Sequence, residues 1–318
     1  MNPTVAIVGG FLGAGKTSLI LKAARVLAAR GVRVAAVMND QGHDLVDAEL
    51  ARHSGVDAGQ VGGGCFCCRF PDLVDALEHL QQRGAQVIFA EAVGSCTDIV
   101  ATTLRPLLRD WGHRFRAAPL TVLVHGKPDG ADLEFLFEHQ VAEADLVVDR
   151  TVDPEWWLAE LLREGVAAGA RTVAVDYARY AQAEAALGWL NARVRLRTRP
   201  ALSPAMVVGP LMEALDQAAS AAGIRIVHLK VLDQCATGFV KAALTANRQE
   251  PVVEGALTAS PASVHEVLLN LRALGSPEEL RAIVEGAFAA HRAEWCALEA
   301  FRPAPPVPYH SSGSAITL

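Results

Sequence analysis

The sequence predicts an α/β fold, a mostly parallel sheet flanked by helices, followed by a smaller α+β domain. Three observations predict it. Apolar runs of strand length alternate with helical patterns over the first half of the chain. After about residue 200 the order becomes strands in a run, then helices in a run. Roughly half of the 318 residues are apolar, enough for a sizeable core.

In chain order, strands are expected at residues 4–8, 32–38, 86–90, 120–125, 146–148 and 172–175. Helices are expected between them, at 16–30, 72–83 and 154–164, with Gly31 stopping the first. In the second part the pattern predicts a helix at 204–222. Strands follow at 224–232, 238–245 and 252–257, then helices at 263–274 and 277–291. The expected division is residues 1–200, carrying the nucleotide and cysteine motifs, and residues 201–318, a small α+β domain. Residues 302–308 are proline-rich and the last residues small and polar, which reads as a surface arm or a disordered tail.

Composition narrows the function. Basic residues number 29 and acidic residues 35, a net charge of −6, and no segment concentrates Lys and Arg. No nucleic-acid partner is expected. No uncharged apolar run reaches the roughly 18 residues of a membrane span. The first residues lead straight into a strand without a leader pattern, so a cytoplasmic protein is expected. Three of the six cysteines crowd into Cys65, Cys67 and Cys68, which in that compartment points to metal or redox chemistry. Cys96, Cys235 and Cys296 are isolated and read as small core hydrophobes.

Gly10-Phe11-Leu12-Gly13-Ala14-Gly15-Lys16-Thr17 fits the P-loop pattern and lies between a predicted strand and a predicted helix. Gly10, Gly13, Ala14 and Gly15 let backbone N–H groups turn towards phosphate oxygens, and the positive end of the helix favours the same anion. Lys16 reaches the terminal phosphates, and the Thr17 hydroxyl ligates Mg²⁺. Such an enzyme also needs an acid at a nearby strand end. Glu91 is the first candidate and Asp40 the second; either could instead be a helix cap or a solvated loop acid.

Gly62-Gly63-Gly64-Cys65-Phe66-Cys67-Cys68-Arg69 is the second signal. Thiolates suit Zn²⁺, Co²⁺ and other thiophilic ions. The glycines permit the tight bend that would turn the thiols to one ion. Adjacent cysteines usually project apart, so two of the three are expected to bind at once. Asp40, His43, Glu49 or His53 would supply the rest. Arg69 would lower the thiol pKa. Buried, inert cysteines are the alternative.

Residues 9–18, from Gly9 through Ser18, resemble the P-loop of the CobW-like metallochaperone GTPases, relatives of UreG and HypB. Asn39-Asp40-Gln41-Gly42 resembles that family's Asn-Glu-x-Gly segment, Cys65-x-Cys67-Cys68 its Cys-x-Cys-Cys motif, and Glu91-Ala92-Val93-Gly94 its Glu-Ser-Thr-Gly segment. The resemblance implies GTP hydrolysis coupled to delivery of zinc, cobalt or a metal cofactor to a client protein, and it implies a homodimer. The chain departs from the family where guanine is read. Asp149-Arg150-Thr151-Val152-Asp153 stands where Asn-Lys-x-Asp is expected. Arg150 could stack on the base. Asp153 could accept from it or could cap the helix beginning at Pro154. GTP is thus implied, with ATP open. Ala92 and Val93 replace hydroxyl residues, which leaves slow hydrolysis open.

The mechanism this suggests is a nucleotide-gated metal carrier. Residues 39–69 would respond to the γ-phosphate, Lys16 and magnesium would stabilise charge, and Asp40 or Glu91 would orient water. Two other classes fit the P-loop. One is a nucleotide-binding adaptor or cofactor-loading chaperone without its own metal cargo. The other is a small-molecule kinase.

Overall fold

The computed structural model describes residues 2–43, 46–289 and 291–310. The chain forms two compact units. The first holds the residues up to Gln41, those from Asp47 to Glu184, and those from Pro305 onward; the second holds Gly42–Val46 and Ala185–Ala304.

The first unit is built on a parallel sheet in the order β3-β2-β4-β1-β6-β7, with the short β5 also paired to β1. Its strands are β1 (Thr4–Gly10), β2 (Val34–Asn39), β3 (Asp57–Val61), β4 (Val87–Glu91), β5 (Arg116–Ala117), β6 (Thr121–Val124) and β7 (Leu146–Asp149). β1, β2 and β4 are buried almost throughout and read as continuous apolar runs, as strands covered on both faces do. The helices are α1 (Lys16–Ala29), α2 (Val46–His53), α3 (Phe70–Gln82), α4 (Arg105–Trp111), α5 (Ala131–Glu143), α6 (Pro154–Leu161) and α7 (Tyr177–Ala185). α1 buries Leu19, Ile20, Ala23, Ala24 and Leu27 on one face and ends before Gly31, whose φ of 75° only glycine adopts at low cost.

One expectation fails here, and one strand was not foreseen. Residues 172–175 form no strand, since nothing pairs with them and their backbone stays largely exposed. β3 escapes sequence reading because Asp57-Ala-Gly-Gln-Val carries little β propensity and is only half-buried.

The second unit is a six-stranded antiparallel sheet in the order β11-β10-β9-β12-β8-β13. The strands are β8 (Gly188–Leu202), β9 (Arg225–Cys235), β10 (Gly238–Leu244), β11 (Val252–Gly255), β12 (Ala262–Leu274) and β13 (Ala293–Phe301). Its helices are α8 (Pro204–Ala221) and α9 (Pro277–Phe288). β8 begins well before residue 200, so the change of architecture comes earlier than the composition suggests. The helix expected at 263–274 is instead β12, the strand between β9 and β8. Val267, Leu269, Leu271 and Ala273 face the main core, while Leu268 packs with Val46 and Leu232 in a smaller cluster. Burial on both faces erases the alternation and leaves an apolar run that mimics a helix. Val46 also donates its N–H to Asn270 Oδ1 at 3.0 Å, and the His43 N–H bonds Glu299 at 2.6 Å.

The proline-rich arm is ordered through His310. Tyr309 donates its N–H to Cys67 O at 2.7 Å and stacks on Phe70, with ring centroids 6.2 Å apart. The small polar end, residues 311–318, lies outside the described residues.

Glu143, at the end of α5, accepts from the Val100 N–H at 3.0 Å and from Thr97 Oγ1 at 3.3 Å. Burial pushes its carboxyl up to about 8. Stability from such a group is complete below the ordinary carboxyl range and is lost as pH rises through about 8. Conformational stability should therefore fall between mildly acidic and mildly alkaline pH. Glu143→Gln, which keeps an acceptor for Val100, should remove ~1–3 kcal/mol of that decline. Urea unfolding of both proteins across this range checks it.

Candidate nucleotide and metal site

β1 delivers the chain into the loop at Gly10, whose φ is 129°. A Cβ there would lie 2.3 Å from Leu123 O, so glycine is required by contact as well as by conformation. Gly13 and Gly15 also take positive φ, and Gly15 stands at the N-terminus of α1. Ala14 closes the turn by donating to Phe11 O at 3.1 Å. The Lys16 ammonium donates to Gly10 O at 2.7 Å and Phe11 O at 3.3 Å, so it lies against the crest of the loop. Ser18 follows in the first turn, half-buried. Such a loop of inward N–H groups and a lysine at a helix N-terminus is suited to a polyphosphate.

The Thr17 hydroxyl lies 3.1 Å from Glu91 Oε1 and 3.0 Å from Asp47 Oδ1. A hydroxyl has one proton, so it cannot donate fully to both oxygens at once. Two carboxylates and a hydroxyl converging on one point are a hard-oxygen donor set, and Mg²⁺ fits it. Glu91 ends β4, aligned with Val8 of β1 and Met38 of β2. Asp47 sits in the first turn of α2. Gly94, three residues beyond Glu91, approaches the phosphate loop so closely that a Cβ would meet Leu12 N at 3.0 Å.

Asn39, at the end of β2 and buried, staples the cysteine loop. Its Nδ2 donates to Val61 O at 2.9 Å and Gly64 O at 2.8 Å, and its Oδ1 accepts the Phe66 N–H at 2.9 Å. Asp40 is held at its N–H by Val61 O, 3.2 Å away. Gly63 and Gly64 bend the chain at φ of 74° and 152°. Cys68 and Arg69 then donate back to Cys65 O as the chain turns into α3.

This turn gathers all three thiols, against the expectation that only two could face one point. The sulfurs of Cys65 and Cys67 lie 2.7 Å apart, those of Cys65 and Cys68 3.4 Å, and those of Cys67 and Cys68 3.8 Å. Among the described residues no other histidine, cysteine or acid joins this group. Arg69 does not serve the thiols, because its guanidinium pairs with Asp72. Hydrogen bonds within the cluster and burial instead raise the thiols: Cys67 stands well above the usual range, chiefly through Cys65, and Cys68 is pushed up to about 11. The core reading holds for Cys96, which is buried and lies outside this group of thiols, its pKa lowered to about 6 chiefly by Cys65 and Cys67. It fails for Cys235, half-buried, and Cys296, exposed.

Of the base-reading candidates, Arg150 lies beside the phosphate loop, its Cβ 3.6 Å from where a Cβ on Gly15 would stand. Asp153 caps α6 by accepting from the Glu155 N–H at 3.2 Å. Sequence reading missed Asp47 because nothing in the sequence says that α2 leads back to Thr17. It named Asn39 only as part of a resembling segment.

Asp47→Asn should weaken Mg²⁺-dependent nucleotide binding by about tenfold or more, with binding in chelator nearly unchanged. A fluorescent guanine nucleotide, titrated with and without Mg²⁺, reads both quantities.

Comparison with known proteins agrees with this arrangement. Zn(II)-bound YjiA GTPase from E. coli is 15% identical, covering 92% of this chain and 100% of that one, at a TM-score of 0.30. HypB from Helicobacter pylori in complex with nickel is 19% identical, covering 50% of this chain and 74% of that one, at a TM-score of 0.33. At these values neither likeness carries weight. The family model does: residues 4–154 match the CobW/HypB/UreG nucleotide-binding domain. Residues 4–154 are thus similar to the nucleotide-binding domain of the CobW/HypB/UreG proteins.

Proposed function

We propose that the protein is a GTP-hydrolysing metallochaperone that holds a thiophilic ion such as Zn²⁺ or Co²⁺ at Cys65, Cys67 and Cys68 and passes it to a client protein. One observation carries the reading: three thiols gathered on a loop that Asn39 ties to the strand end beside the phosphate loop. The client would be a metalloenzyme or a cofactor-dependent protein. The family resemblance adds a homodimer.

In this reading the backbone from Gly10 to Lys16 cradles the phosphates. The Lys16 ammonium leaves the carbonyls of Gly10 and Phe11 for the terminal phosphates. Thr17, Asp47 and Glu91 would hold magnesium, which when bound offsets charge on the β- and γ-phosphates. Asp40 or Glu91 would orient the attacking water. Arg150 lies where it could stack on the base, and Asp153 keeps its cap while standing near enough in sequence to contribute. Asp47 follows directly on Gly42–Val46, a segment that belongs to the second unit. Hydrolysis that relaxes Asp47 would pull on that segment and relax the cysteine loop through Asp40 and Asn39. Because coupling is reciprocal, bound metal must change nucleotide affinity by the same factor.

The test is a Co²⁺ titration of the reduced protein with GDP–Mg²⁺ and then with a non-hydrolysable GTP analogue, followed by the thiolate charge-transfer band. The expected result is a band abolished by Cys65→Ser, with affinity differing at least about fivefold between nucleotide states. No thiolate band in either state would overturn the metal reading in favour of an adaptor. Equal affinity in both states would remove the gating. Competition of GTP against ATP in the same assay should favour GTP, and Arg150→Ala should lower affinity for the base-bearing nucleotide by about tenfold.

A further inference from the structure

Helix α7 carries Tyr177, Tyr180 and Glu184 at a spacing that sets them along one face. Each holds the loop that follows Glu91. Tyr177 donates to Asp98 Oδ2 at 2.6 Å, the Tyr180 hydroxyl accepts the Thr97 N–H at 3.3 Å, and Glu184 Oε1 accepts from Ser95 Oγ at 2.5 Å. The held loop is buried from Ser95 to Asp98. Asp98 keeps a φ of 61°, which a residue other than glycine holds only when its surroundings impose it. The helix is itself anchored. Asp176 accepts the N–H groups of Ala178 and Arg179 at 2.9 and 3.2 Å, and Arg179 pairs with Asp132 at the start of α5. Gln140 of α5 also donates to Gly94 O at 2.9 Å and to Cys96 O at 3.0 Å.

The last of the three contacts is shared. Glu184 Oε1 also accepts from Gln41 Nε2 at 3.0 Å, and Gln41 follows Asn39 and Asp40 out of β2. Glu184 is 1% exposed, and its Oε2 is buried without a hydrogen-bond partner among the described residues. The hydrogen bonding of this carboxylate is thus given to two segments that reach it from different strands. Burying a carboxyl group costs stability that an apolar side chain of similar volume would not.

We propose that Glu184 is a positioning residue that latches the loop after β4 to the segment after β2, so that the nucleotide state felt at Glu91 reaches Asn39 and the cysteine loop. The proposal rests on the reading of Thr17 and Glu91 as the magnesium site and deepens its gating. Glu91 and Ser95 share one stretch of chain, and Gln41 and Asn39 share another. Asn39 holds the cysteine loop through Val61, Gly64 and Phe66. One accepting oxygen bonded to both stretches makes them move together. Without the Gln41 amide, the loop after β4 keeps its bonds to Tyr177, Tyr180 and Gln140, while the segment after β2 loses this tie to it.

The experiment is hydrogen exchange, read by mass spectrometry, on the metal-free reduced full chain with GDP–Mg²⁺ and with a non-hydrolysable GTP analogue and Mg²⁺. In wild type, residues 62–69 and residues 92–98 should each exchange at rates differing at least about fivefold between the two states. In Gln41→Ala the difference at 92–98 should remain and that at 62–69 should fall below about twofold. Glu184→Ala should do the same at 62–69, whereas Glu184→Gln, whose amide oxygen can still accept from Ser95 and Gln41, should behave as wild type. A loss of stability alone raises exchange in both nucleotide states and does not remove their difference. A full wild-type difference at 62–69 in Gln41→Ala would overturn the latch and leave the gating standing. No difference at either segment in wild type, with both nucleotides bound, would overturn the gating and the latch together. Gln41 is half-buried, so its variant decides the proposal even if Glu184→Ala folds poorly. No metal enters the measurement, so it does not depend on the cysteines binding one.

Discussion

The register in which β4 lies between β1 and β2 is the constraint on which the site depends. Parallel pairing aligns Glu91 with Val8 on one side and Met38 on the other. All three strands then release their chains at the same edge of the sheet. In open α/β sheets that edge is where ligands bind. The phosphate loop leaves from β1, Asn39 and Asp40 from β2, and Glu91 with the Cys96 loop from β4. A one-residue slip of β4 would separate Glu91 from Thr17 and turn alternate side chains to the other face.

From this alignment follow two neighbouring but chemically opposite environments. Around Thr17 the donors are oxygens, two of them carboxylate, suited to a hard cation that accompanies phosphate. Around Cys65 the donors are sulfurs, buried and suited to a soft one. The structure joins the two without mixing their ligands. Asn39 connects β2 to the sulfur loop through three hydrogen bonds of its side-chain amide. Asn39 itself ends β2, so a change at the phosphate end has little slack to absorb it. The thiols stand high in pKa, which makes metal uptake compete with protons.

The second unit has a different logic. Its sheet is antiparallel and uses α8 and α9 to cover one face, with Val207, Leu211, Leu215, Leu280 and Val284 in a core shared with β8, β9, β10 and β12. The segment Gly42–Val46, which precedes Asp47 in the chain, is bonded within this unit through His43 and Val46. In the proposed cycle that segment carries the state of the nucleotide outward.

Local chemistry was legible in the sequence. The glycine spacing of the phosphate loop, the crowding of Cys65, Cys67 and Cys68, and the acid after an apolar strand each need only neighbouring residues to be recognised. So did the alternation of strands and helices in the first unit, because fully buried parallel strands leave unbroken apolar runs. What only the tertiary structure decided are relations between distant residues. Asp47 meets Thr17 across 30 positions. Glu91 meets Thr17 across 74 positions because β1 and β4 end at the same edge. β12 is a strand because both of its faces are covered, a fact of packing that its helix-like run of leucines conceals. The physical reason is common to all three: periodicity and motif report the residues beside a position in the chain, whereas ligand sets and burial are fixed by partners that only folding brings near.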